Sequence, residues 1–110
     1  MNGTFVLIFR REQRKLSDEE QQQRTEEVRA WAMQQIKDGR NLEPRVLGDE
    51  SYSLGESTKI DKPVIALNFI EAADFAEAVK IAKTHPGIRY GVHIEVRPWT
   101  DPRAQRKASQ

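Results

Sequence analysis

The chain has 110 residues, 18 Lys and Arg against 17 Asp and Glu, with 37% hydrophobic and 32% charged residues. That length suits one domain with a modest core, and the near-balanced charge offers no whole-chain field to nucleic acid or an anionic membrane. The absence of cysteine excludes disulfides, thiolate chemistry and Cys-ligated zinc or iron–sulfur sites.

The mean hydropathy of −0.75 suits a small domain, and equally a chain that hides one face on a second subunit. Met1-Asn2-Gly3-Thr4 does not begin a charged region followed by an apolar stretch, so no secretory leader is expected. No apolar run approaches the roughly 20 residues of a membrane-spanning helix, and the expected location is the cytoplasm. Residues 1–100 read as a single domain and 101–110 as a polar, flexible tail.

Phe5-Val6-Leu7-Ile8-Phe9 is continuously apolar, β-branched and aromatic, and predicts a strand buried on both faces. Ser17 and Glu20 stand at capping-box spacing and open a helix over about 18–38. Its first half, Asp18 to Glu27, has no apolar residue, and so projects into water or lies along a partner. Val28, Trp31, Ala32 and Ile36 then form a stripe expected to be buried, and Gly39 is a C-terminal stop.

Leu42 to Leu47 predicts a second strand, which Pro44 confines to a sheet edge because proline has no amide hydrogen. Residues 48–62 form a polar loop in which Tyr52, Leu54 and Ile60 can support a small hairpin or fold-over. Pro63 to Ile70 is a second continuously apolar strand. Asp74, with Glu77 three residues on, opens a second helix whose expected buried stripe is Phe75, Ala78, Val79 and Ala82. Thr84-His85-Pro86-Gly87 stops it.

Tyr90 to Trp99 alternates as a last strand, with Val92, Ile94 and Val96 on one face and His93, Glu95 and Arg97 on the other. The order β-α-β-β-α-β predicts an α+β, ferredoxin-like fold: an antiparallel sheet in spatial order 4-1-3-2 with two helices on one face. The continuously apolar strands leave the other face in need of cover. A homodimer packed sheet to sheet through that open face, as in a dimeric α/β barrel, supplies it.

The chain resembles the YCII-related (DGPF-domain) family of small dimeric α/β-barrel proteins over most of its ordered length. The residues that carry the resemblance are Phe5-Val6-Leu7-Ile8-Phe9-Arg10, Trp31, Glu77-Ala78-Val79 with Ala82-Lys83, His85-Pro86 and, most specifically, Ile94-Glu95-Val96-Arg97-Pro98. The resemblance implies a dimeric barrel with a cavity. Lys59-Ile60-Asp61-Lys62-Pro63 stands where named members carry Asp-Gly-Pro-Phe, and Val28 to Ile36 lacks the first-helix histidine of other members, so that residue's role is not carried over.

His93, Glu95 and Arg97, with Arg10 from the adjoining strand and Asn68 if its strand is so phased, are candidates to line a barrel cavity. In that reading His93 is an acid or base, Arg97 grips a carboxylate and Glu95 orients either. The plainer reading makes Glu95–Arg97 an ion pair at the subunit interface and His93 a space-filler. His85 is read first as a helix C-terminal cap favoured by a cationic ring, and second as a catalytic group; Trp31 is read as core and pocket wall. Two histidines eight residues apart make no metal-site pattern, no phosphate loop or nucleophile elbow is present, and no cofactor is expected. The third strand lacks the aromatic signature of RNA-recognition modules, so no nucleic-acid partner is expected either. Two function classes remain: a dimer binding a small molecule or partner in its cavity, and an enzyme doing acid–base chemistry on a small organic acid or aromatic compound.

Overall fold

The computed structural model describes residues 3–12, 14–55 and 62–103. Its elements are β1 (Gly3–Arg10), α1 (Asp18–Lys37), β2 (Leu42–Val46), β3 (Val64–Ala72), α2 (Phe75–Lys83), a 3-10 turn (Pro86–Tyr90) and β4 (His93–Pro98). The four strands form one antiparallel sheet in the order β2-β3-β1-β4, the ferredoxin-like arrangement expected from the element order. The sheet of the single chain is open rather than closed into a barrel. No helix among the described residues is long and apolar enough to cross a membrane.

The two apolar strands, β1 and β3, are the central pair, and Pro44 lies on the edge strand β2. Register fixes the faces, because residues directly opposite in an antiparallel pair point the same way. Phe5, Leu7 and Phe9 face Ile70, Asn68 and Ala66 on one side and Pro98, Val96 and Ile94 on the other. That face carries the core, where Phe5, Leu7, Phe9 and Ile70 join Trp31 of α1 and Ala78, Ile81 and Ala82 of α2. Both helices therefore cover one face. The opposite face holds Val6, Ile8, Leu67 and Phe69 beside His93, Glu95 and Arg97.

The local signals behave as their chemistry requires. Ser17 Oγ accepts from Glu20 N–H at 3.1 Å, and Glu20 Oε1 accepts from Ser17 N–H at 3.1 Å. At α2 the Asp74 carboxylate accepts from Glu77 N–H at 2.8 Å, whereas the Glu77 carboxylate reaches one residue further back, to Ala73 N–H.

Several expectations need correction. Ile36 is 62% exposed and Gln35 is buried in its place; Phe75 is 48% exposed and Ile81 is buried instead. Gln35 lies one position from Ile36 and Ile81 six from Phe75, and which residues turn inward is set by how each helix lies on the sheet rather than by its own spacing. The last strand begins at His93, because Tyr90 belongs to the 3-10 turn and Gly91 (φ 92°) makes the left-handed step out of it. Tyr52 and Leu54 are exposed and in no regular element, so they form no fold-over; Ile60 and residues 104–110 of the tail lie outside the described residues.

Candidate functional site

The residues singled out from sequence fall into two groups on opposite sides of the sheet. On the open face, Arg10 donates to Glu95 Oε1 at 3.2 Å and to the Lys62 carbonyl at 3.2 Å, while Arg97 lies 3.5 Å from Glu95 Oε2. One carboxylate is thus shared by two guanidiniums. All three side chains are partly exposed, where such pairs stabilise little. His93 is exposed on the same face and has no hydrogen-bond or ion-pair partner among the described residues.

Asn68 does not join this group. It pairs with Leu7 and so points to the helix side, where the structure also brings His85 and Trp31. A cavity of about 240 Å³ opens there between α1, the sheet and the segment after α2. Phe9, Val28 and Val92 give it apolar walls, Asn68 and His85 are its inner polar groups, and Arg24 and Glu12, an ion pair, also line it. The apolar-free first half of α1 accounts for the space. Val28 is the first helical residue able to fill the gap over β2 and β3, so residues 18–27 leave the sheet partly uncovered.

His85 is held by its neighbours in chain and space. Pro86 restricts the residue before it to extended backbone, and His85 has φ −69° and ψ 126°. Its Nδ1 accepts from Gly87 N–H at 3.0 Å, so the ring caps the following 3-10 turn. A Cβ on Gly87 would stand 3.0 Å from Nδ1 and 3.1 Å from Cε1, so any larger residue there would push the imidazole back by a few tenths of an ångström. Phe9 and Trp31 pack on the ring with centroids 4.9 and 4.7 Å away. Trp31 Nε1–H donates to Thr84 Oγ1 at 2.8 Å, which fixes the indole against the end of α2.

Burial pushes the His85 pKa down to about 4, so the ring is neutral at pH 7. A cationic C-terminal cap was expected, and the structure corrects it: the charged form cannot be hydrated among Phe9 and Trp31. With Nδ1 accepting, the proton of the neutral ring sits on Nε2, which has no partner among the described residues.

Asn68 is the unusual group. It is 7% exposed, and its Oδ1 is the one buried side-chain polar atom without a hydrogen-bond partner among the described residues. Such an atom costs about 1–3 kcal/mol unless something completes it. Whichever way the planar amide is turned, it presents a hydrogen-bonding group beside the cavity. The Glu12–Arg24 pair was not singled out from sequence, while Val28 was read only as part of a buried helix stripe and Gly87 only as part of a helix stop. The one available signal was the polar helix half set against an apolar sheet. No protein-family model matches the chain, and no curated protein matches it.

Proposed function

We propose that this chain is a small-molecule-binding protein of the YCII-related, dimeric α/β-barrel type, whose ligand occupies the helix-side cavity over Asn68 and His85. The observation that carries the reading is the unsatisfied, buried Asn68 amide beside an apolar cavity of about 240 Å³. That volume lies below the roughly 300–1,000 Å³ of drug-sized sites and suits a small metabolite. Neutral His85 offers an Nε2–H donor and Asn68 an acceptor, a complementary pair for one hydroxyl group of the ligand, which accepts from the first and donates to the second. A ring that stays neutral down to about pH 4 is suited to donating this hydrogen bond. It is poorly matched to proton turnover at pH 7, which favours binding over acid–base catalysis.

The same reading includes a homodimer formed through the open sheet face. Val6, Ile8, Leu67 and Phe69 make its apolar centre, and Trp99, 54% exposed, packs edge-on against Phe69 at 4.8 Å. Glu95 and Arg97 lie beside this centre, and such a patch is self-complementary under a two-fold axis. Sedimentation is expected to give twice the 12.7 kDa chain mass, and a monomer at micromolar concentration contradicts the dimer. The cavity is tested with 3-(4-hydroxyphenyl)propan-1-ol by calorimetry. Saturable binding at one site per chain is expected; no binding at millimolar concentration removes the reading.

A further inference from the structure

A second depression, of about 480 Å³, adjoins the cavity and shares Arg24 and Glu12 with it. Arg11, Arg14, Lys15 and Arg24 bring four cationic groups to its lining against the single carboxylate of Glu12. Arg14 is bonded to Glu20 at 2.8 Å and Arg24 is paired with Glu12, while the side chains of Arg11 and Lys15 have no partner among the described residues. A groove with surplus positive charge therefore meets an apolar cavity, and the Glu12–Arg24 pair stands at the junction.

We infer that cavity and groove form one site for a small carboxylate with an apolar body, in which the ligand's carboxylate replaces Glu12 on Arg24. This rests on the cavity being a binding site and adds the class of ligand. The exchange swaps one carboxylate for another, so Arg24 stays paired throughout and no buried charge is left alone. The displaced Glu12 has Arg11 and Lys15 on the same groove wall. Guanidinium favours a planar carboxylate because two parallel N–H bonds fit its two oxygens. The body of the ligand then lies against Phe9, Val28 and Val92, and a single polar group on it reaches Asn68 and His85. Neutral His85 and the Asn68 amide offer a second anionic group no counter-charge; the other cation of the cavity lining, Arg45, comes from edge strand β2.

The test compares 3-(4-hydroxyphenyl)propanoate with 3-(4-hydroxyphenyl)propan-1-ol, which share a body and differ in the charged end. At low salt the carboxylate is expected to bind about tenfold more tightly, the scale of one charge-assisted hydrogen-bond pair, and the preference is expected to shrink as salt is added. Arg24→Gln should reduce the ratio of the two affinities to within about twofold. Glu12→Gln should raise the carboxylate's affinity by freeing Arg24. Arg24 lies on the polar half of α1, and the double variant Arg11→Gln/Lys15→Gln, which leaves the junction intact, should weaken the carboxylate preference on its own. Equal affinities in the wild-type protein, or a preference that survives Arg24→Gln, overturn the carboxylate site and leave the cavity reading standing. Binding of neither compound removes both.

Discussion

Replacing Asn68 with leucine is expected to stabilise the ligand-free protein by about 1–2 kcal/mol and to weaken binding of 3-(4-hydroxyphenyl)propan-1-ol by more than tenfold. The stabilising part follows from the unpartnered Oδ1: an apolar side chain of similar shape removes a desolvated polar atom and loses no hydrogen bond. The adjoining cavity gives leucine's extra bulk somewhere to go, so overpacking is small. The binding loss follows because the ligand's polar group would face hydrocarbon. Opposite signs for stability and binding are the mark of a residue kept for its ligand. Urea unfolding of both proteins, alongside calorimetric titration, measures the two quantities. A loss of more than about 1 kcal/mol on Asn68→Leu would make Asn68 a structural residue, because it would mean that the amide has a partner worth more than its burial costs.

Stability is also expected to fall by up to about 3 kcal/mol as pH drops from 6.5 towards 4, through His85 alone. The folded protein holds the ring neutral until about pH 4, whereas the unfolded chain takes up the proton near the ordinary value of 6.5. The unfolded state binds more protons throughout that window. The full stability is therefore present above 6.5 and is progressively lost as pH falls towards the folded pKa. Below about 4 both states are protonated and the contribution no longer changes. Asn is the informative substitution. Its Oδ1 can accept from Gly87 N–H as Nδ1 does, and it does not titrate. The His85→Asn variant is expected to be less stable at pH 7, because Phe9 and Trp31 lose the ring between them, yet to show a flatter profile from 6.5 to 4. An unchanged slope would mean that His85 is hydrated in the native protein.

Much of the fold was legible because several signals were local and strong. The apolar runs of β1 and β3 marked the central pair, Pro44 marked the edge, and Ser17 with Glu20 marked a helix start whose two hydrogen bonds both form. Burial along the helices was less legible. Ile36 and Phe75 had the right spacing, but Gln35 and Ile81 are the residues turned inward, since the angle at which a helix crosses the sheet is a tertiary property.

The site was legible in its residue types and not in its placement. Alternation put His93, Glu95 and Arg97 on one face, and they do share it. It carried no information about which face bears the helices. Asn68 sits in a continuously apolar strand, where no alternation reveals phase, and its pairing with Leu7 puts it on the opposite side of the sheet from Glu95. His85 depended on Gly87 and on two aromatic rings each more than fifty residues from it along the chain: Trp31, anchored by Thr84, and Phe9 of the first strand.

The most direct measurement is the side-chain amide signal of Asn68 in a ¹H–¹⁵N correlation spectrum, followed while 3-(4-hydroxyphenyl)propan-1-ol is added. Saturable movement of that signal, together with the His85 ring nitrogens and the Gly87 amide, is the predicted result. Movement confined to Arg10, Glu95, Arg97 and Phe69, with Asn68 still, would place binding on the open sheet face and contradict the cavity.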